Sequence, residues 1–111
     1  MSRAHAGAAT ELRASALLLE YGFHVFSNVS AHGPVDMTVW HPETGKTALI
    51  DIKTRTGNKQ PSGTYWNNSS PSKASGVHIL QYAPDADHWW WHPAHGVPEG
   101  LEVLGFNTET P

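Results

Sequence analysis

The chain has 111 residues, a formal net charge of −3 and no cysteine. This length suits one domain with one core, so we expect residues 1–111 to form a single domain. The lack of cysteine excludes disulfides and thiolate metal sites, and the net charge argues against a strongly basic nucleic-acid binder. No stretch approaches the roughly 20 apolar residues of a membrane span, and the first residues lack an apolar signal core. We therefore expect a cytoplasmic protein.

The first predicted element is a helix over residues 4–21, with Gly22 as its C-terminal stop. At about 100° per residue, its apolar arc contains Ala4, Ala8, Leu12, Ser15, Leu18 and Leu19. Glu11 falls inside this arc. A carboxylate in that position either reaches water at the margin of the arc or has a function there.

Three strands are predicted next, over residues 23–29, 35–40 and 47–54. Residues 30–34 break the alternation of the first strand, and a loop with Pro and Gly over residues 41–46 makes the second and third strands a hairpin. The expected order is therefore one helix followed by three strands.

Residues 55–75 are rich in Gly, Asn, Ser, Pro and Thr and are predicted to form a long loop. A fourth strand over residues 76–82 and a turn over residues 83–87 lead into a fifth strand over residues 88–92. A short final strand is expected over residues 101–106. The whole pattern predicts an α/β (α+β) fold in which a mixed sheet of four to five strands follows the helix.

Two charged side chains interrupt the third strand. Asp51 and Lys53 are two residues apart, so they share one face of the strand, while Ile50 and Ile52 share the other. An acid and an amine on a mostly buried strand must be paired, bound to metal or open to a cleft. The plain alternative is a surface salt bridge on a half-exposed strand.

Charge is unevenly distributed along the chain. Residues 46–73 carry a net charge of +4 and residues 74–111 carry −5. The basic segment begins at the third strand, and it could hold a polyanion beside Asp51 and Lys53. The alternative is a solvated polar loop.

The ordered set of Glu11 on the first helix, Pro34-Val35-Asp36 on a strand and Asp51-Ile52-Lys53 on its hairpin partner resembles the PD-(D/E)xK nuclease superfamily. The resemblance covers about residues 4–56 and is to the small phage-type and Holliday-junction-resolvase-like members. It implies a restriction-endonuclease-like core. That core usually has a second helix between the third and fourth strands, which we expect to be reduced or absent here.

The resemblance also implies a metal-dependent DNA endonuclease that hydrolyses phosphodiester bonds in junction-resolving, nicking, or restriction-like or homing cleavage. Asp36 and Asp51 would hold Mg²⁺ (or Mn²⁺), with the carbonyl of Ile52 as a further ligand and Glu11 completing or water-bridging the metal shell. Lys53 would orient or help to deprotonate the attacking water.

The predicted DNA-binding residues share a position in or beside the basic loop: Arg55, Lys59, Gln60, Tyr65, Trp66 and Lys73. The aromatic members could stack on bases. We expect a homodimer, so that two single-site subunits cut both strands, with at least one ring of Trp89-Trp90-Trp91 at the subunit contact.

Other interpretations remain open at this stage. The fold could serve as a catalytically silent nucleic-acid-binding or assembly module, or as a tryptophan-based ligand-binding domain in which Asp51 and Lys53 form an ordinary salt bridge. His88, His92 and His95 invite a zinc site. On a strand, however, His88 and His92 share a face but lie too far apart for one ion without a bend, and Pro93 makes the position of His95 unpredictable.

Overall fold

A computed structural model describes residues 3–29, 35–56 and 76–109 of the chain. These residues form one α-helix, five strands and two short 3-10 helices. In chain order they are α1 (Arg3–Glu20), β1 (His24–Ser27), β2 (Met37–Trp40), β3 (Thr47–Thr54), β4 (Val77–Ala83), the 3-10 helix Pro84–Ala86, β5 (His88–Trp91) and the 3-10 helix Glu102–Leu104. The predicted fold, an N-terminal helix followed by a mixed sheet, is confirmed.

The five strands form one sheet in the order β1-β2-β3-β4-β5. All neighbours are antiparallel except β3 and β4, which run parallel with Asp51 opposite Ile79. A parallel pair cannot be joined by a tight hairpin turn, and 22 residues separate the end of β3 from the start of β4. Within the described part of the chain, α1 is the only α-helix. The expected place of a second core helix, residues 57–75, lies outside the described residues.

The two faces of the sheet differ. On the face covered by α1, the helix face, Ala48, Ile50 and Ile52 of β3 pack in the core with Ala14 and Leu18. Alternation along a strand places Asp51 and Lys53 on the opposite face, called the far face below. The strand that builds the core therefore also presents the charged pair.

The buried stripe of α1 differs from the predicted arc. Leu12 and Leu19, both expected in the core, are 72% and 59% exposed, whereas Thr10 is fully buried. The hydroxyl of Thr54 on β3 donates to Thr10 Oγ1 at 2.8 Å, and the Thr10 hydroxyl donates to Ala6 O. These two hydrogen bonds satisfy the Thr10 hydroxyl, so this polar residue can be buried on the side of the helix that faces the sheet. The buried face of α1 is therefore rotated relative to the predicted arc.

The tryptophan run packs within the chain. Trp91 is fully buried in the main core, and Trp90 is buried on the other face beside Ala83, as alternation predicts. Trp89 is half-buried, with its ring 4.2 Å from that of Tyr82. The sheet and the chain's own side chains cover Trp90 and Trp91, whereas Trp89 keeps partial exposure, so a subunit contact through this run stays a prediction.

The predicted final strand over residues 101–106 is also wrong. Glu102–Leu104 is a 3-10 helix, and Gly105 follows it with a φ of +74°. The chain then meets the sheet at Thr108, which bridges to Trp91. No helix in the described ranges is both long enough and apolar enough to span a membrane.

Candidate active site

Asp36 lies where β1, β2 and β3 meet. It directly precedes β2, and its N–H donates to Ile50 O at 3.0 Å while its carbonyl accepts from the N–H of Asn28. Its carboxylate Oδ2 accepts the N–H of Ile52 at 2.6 Å. The carboxylate thus occupies the place that a β2 carbonyl would take in the ladder, and the sheet itself fixes the side chain.

The carbonyl of Ile52 faces the same side. In an antiparallel pair, the N–H and C=O of one residue point to the same edge of the strand. Since the N–H of Ile52 is directed at Asp36, its carbonyl oxygen is directed toward the β2 side of β3 as well. A neutral oxygen ligand therefore lies beside the Asp36 carboxylate.

Asp51 and Lys53 share the far face, as the alternation predicted. Lys53 Nζ lies 3.4 Å from Asp51 Oδ2, and the two side chains are 31% and 5% exposed. The side chains of Asp36 and Asp51 also form a hydrogen bond with each other. The two predicted ligand carboxylates are therefore neighbours, with the lysine next to the deeper one.

Glu11 approaches the same point from α1. It lines an open cleft of about 330 Å³ together with Ser15, Asn28 and Asp36. Burial raises the pKa of Asp36; hydrogen bonds from Ile52 N–H and with Asp51 lower it, and the charge and hydrogen bonding of Glu11 raise it. Three acidic side chains therefore interact around Asp36, and the geometry unites all four residues that the sequence singled out.

The donor set suits a hard cation. Three carboxylates against one lysine leave an excess of negative charge, and all available ligand atoms are oxygens, which Mg²⁺ prefers. In residues 3–29, 35–56 and 76–109, no group of three or more His, Cys, Asp or Glu side chains is placed so that it could hold a metal ion. Mg²⁺ is commonly held by one or two carboxylates plus water and substrate oxygens, so Asp36, Asp51 and the Ile52 carbonyl fit it.

The predicted DNA contacts are mostly outside the described residues, namely Lys59, Gln60, Tyr65, Trp66 and Lys73. Arg55 is described and is only 2% exposed, because its Nε donates to the buried Oε1 of Gln81 at 2.8 Å. Burial lowers its pKa. A contact between Arg55 and DNA stays a prediction, and its observed partner is in the sheet.

Two residues near the site were not singled out for it from sequence. Gln81 of β4 is opposite Lys53 and fully buried. His92 donates its backbone N–H to the carbonyl of Ile79 on β4, and Ile79 is the residue opposite Asp51 of β3. The signal for Gln81 was present, since it is the polar residue inside an otherwise largely apolar strand. The zinc interpretation fails for His88, whose Nε2 lies 2.8 Å from Glu109 Oε2.

Comparisons with known proteins give one relevant structure. No protein-family model matches the sequence, and no curated protein has a similar sequence. The fold is similar to the solved structure of a bacterial homing endonuclease, I-Ssp6803I, with a TM-score of 0.64 and 15% sequence identity. The match covers 93% of this chain and 72% of that one. At this identity the likeness establishes a shared fold.

Proposed function

We propose that this protein is a metal-dependent DNA endonuclease of PD-(D/E)xK type. The observation that carries the proposal is the meeting of Asp36, Asp51 and Glu11 beside Lys53, at the splayed end of the β2–β3 hairpin. The similar fold of a homing endonuclease supports it. The burial of Trp90 and Trp91 in the sheet weighs against a tryptophan-based ligand-binding domain.

Asp36, Asp51 and the carbonyl of Ile52 would hold Mg²⁺ or Mn²⁺, and Glu11 would bind it directly or through a water. When bound, the metal would supply charge relief at the phosphate and a more acidic water. Asp36 is suited to this because the Ile52 N–H fixes one of its oxygens at 2.6 Å. A ligand held in place by the sheet needs little reorganisation when the metal arrives.

Lys53 is the candidate for handling the attacking water. Its ammonium lies 3.4 Å from Asp51 and remains about one-third exposed, so it can reach both a ligand carboxylate and a bound phosphate. It would orient the water, take up or share its proton, and offset charge that develops on the phosphate. Asp51 in turn holds the lysine in position.

DNA is the proposed partner. The segment that carries Lys59, Gln60, Tyr65, Trp66 and Lys73 follows β3 in sequence, and residues 46–73 have a net charge of +4. Such a segment would attract the backbone to the acidic site that it borders. A homodimer is proposed because one site cuts one strand. Exposed Leu12 and Phe26 offer apolar surface for a subunit contact.

The test compares cleavage of supercoiled, branched and single-stranded DNA with Mg²⁺ or Mn²⁺. Asp51→Asn should abolish cleavage. The control Asp85→Asn removes the same charge from an exposed turn and should cut like the wild type. Lys53→Ala should lose cleavage but retain the rise in melting temperature that metal produces.

Absence of cleavage by the wild type on every substrate, or full activity of Asp51→Asn, would refute the endonuclease. DNA binding without cleavage would instead favour the catalytically silent binding module. Light scattering of the purified protein decides the oligomeric state.

A further inference from the structure

A second cluster of polar side chains lies on the far face and extends from the end of β3 across β4 to the end of β5. It consists of Arg55, Gln81, His92 and His95 and is called the basic cluster below. His92 donates its backbone N–H to Ile79 O, and Ile79 is opposite Asp51. Two strand spacings of about 4.8 Å therefore separate the backbones of His92 and Asp51, about 10 Å in all.

The ring of His92 presents a hydrogen-bond donor. The N–H of Ala94 donates to His92 Nδ1 at 3.1 Å, so Nδ1 uses its lone pair as an acceptor. The proton of the neutral ring then resides on Nε2. Both His92 and His95 are half-buried, and the N–H of His95 points to His92 O at 3.3 Å. A tight turn therefore joins the two residues, and the charge of His95 acts on the ring of His92.

The surroundings of this ring are positive. The guanidinium of Arg55 is held below by the buried amide of Gln81, whose Nε2 has no hydrogen-bond partner among the described residues. Burial foremost, and then the charges of Arg55 and His95, lower the pKa of His92. The same charges would repel a metal ion at this position and attract an anion.

We propose that His92 and His95 bind a phosphate of the DNA backbone that flanks the cleaved one, above the buried Arg55–Gln81 pair. The nature of the anion rests on the proposed endonuclease function, because DNA carries its next phosphates within reach of a site at Asp51. Arg55 and Gln81 are positioning residues in this arrangement, whereas His92 and His95 contact the phosphate.

The test measures the affinity of the full-length protein for a fluorescein-labelled DNA duplex by anisotropy, with EDTA present so that binding is separated from cleavage. His92→Phe and His95→Phe keep a ring and remove the donor, and each should weaken binding roughly tenfold. His92→Gln restores a donor and should recover most of the affinity. The control His24→Phe alters an exposed histidine on β1 and should bind like the wild type.

If both histidines hold one phosphate, the double variant should lose less than the product of the two single losses. A loss equal to that product, unchanged affinity of the single variants, or no DNA binding at all would overturn the phosphate site. Melting temperatures identify a variant that fails to fold. If a phenylalanine variant does not fold, the comparison of DNA affinity between His92→Gln and the wild type tests the phosphate site instead.

The same proteins are assayed for cleavage with Mg²⁺. Affinity that depends on His92 in a protein that never cleaves would refute the endonuclease and leave the phosphate site standing. Cleavage by a protein whose DNA affinity is independent of both histidines would support the endonuclease and refute the phosphate site.

Discussion

Replacement of Asp36 by asparagine separates the structural role of this side chain from its role at the metal. Asparagine keeps an oxygen for the N–H of Ile52, which now lies 2.6 Å from Oδ2, so the junction of β2 and β3 should persist. It removes a negative charge that is partly buried and adjacent to Glu11 and Asp51. A hydrogen bond to a charged acceptor contributes about 1.5–3 kcal/mol and one to a neutral acceptor about 0.5–1.5 kcal/mol. Relief of burial and repulsion opposes this loss, so without metal we expect Asp36→Asn to be at least as stable as the wild type.

With metal present, the wild type should become more stable than Asp36→Asn. A cation present at about ten times its Kd stabilises the folded state by RT ln 11, about 1.4 kcal/mol. For a domain of this size that corresponds to a rise in melting temperature of about 6 °C. Asp36→Asn loses one of two ligand carboxylates and should show almost none of this rise.

The assay is thermal unfolding followed by circular dichroism, with and without Mg²⁺ or Mn²⁺. Glu43→Gln is the matched control, because it removes an exposed charge from the β2–β3 turn and should keep the full metal response. An equal metal-induced rise in Asp36→Asn and wild type, or no rise in either, would refute the assignment of Asp36 as a ligand.

Three further predictions concern pH, a buried hydroxyl and a glycine. Without metal, the stability advantage of Asp36→Asn over the wild type should shrink as pH falls toward 3.8. The reason is that the pKa of Asp36 is raised in the folded state, so the folded wild type takes up this proton before the unfolded chain does and gains stability. Melting temperatures of both proteins across that pH range test this, and an advantage that grows as pH falls contradicts it. Thr10→Val should cost about 1–3 kcal/mol in urea unfolding, since it strips Thr54 of its acceptor, whereas exposed Thr47→Val should stay within about 0.5 kcal/mol. Gly45→Ala should cost about 1–2 kcal/mol for its positive φ. Gly100→Ala should cost more, because its Cβ would also lie 3.3 Å from His41 Cδ2; equal costs in urea unfolding would contradict the clash.

The parts of the fold predictable from sequence are those determined locally. The bounds of β3 agree with the prediction because Ala48, Ile50 and Ile52 alternate with Asp51 and Lys53. The hairpin with β2 follows from the short turn before it. The same hairpin brings Asp36 near Asp51, whereas their choice as metal ligands came from the resemblance of the ordered set to PD-(D/E)xK nucleases and stays a prediction.

The misplaced features depend on distant contacts. The buried position of Thr10 depends on a hydroxyl of β3 that is 44 residues away, which no helical wheel contains. The basic cluster requires the parallel register of β3 and β4, which brings Gln81 opposite Lys53. Residues 101–106 are mostly apolar, which favoured a strand, but Gly100 and Gly105 adopt positive φ values of +90° and +74° and turn the chain at both ends.

The parallel pairing of β3 and β4 has a consequence for how the site forms during folding. Trp40 and Thr47 pair across seven residues of sequence, whereas Asp51 and Ile79 pair across 28. Loop-closure entropy makes the longer contact about 1.2 kcal/mol more costly to form first. The β2–β3 and β4–β5 hairpins should therefore form early and separately, one carrying the acids and the other carrying His92. The acidic residues and His92 come together only in the late step that joins β3 to β4, so a partly folded chain would contain both hairpins without the two groups side by side.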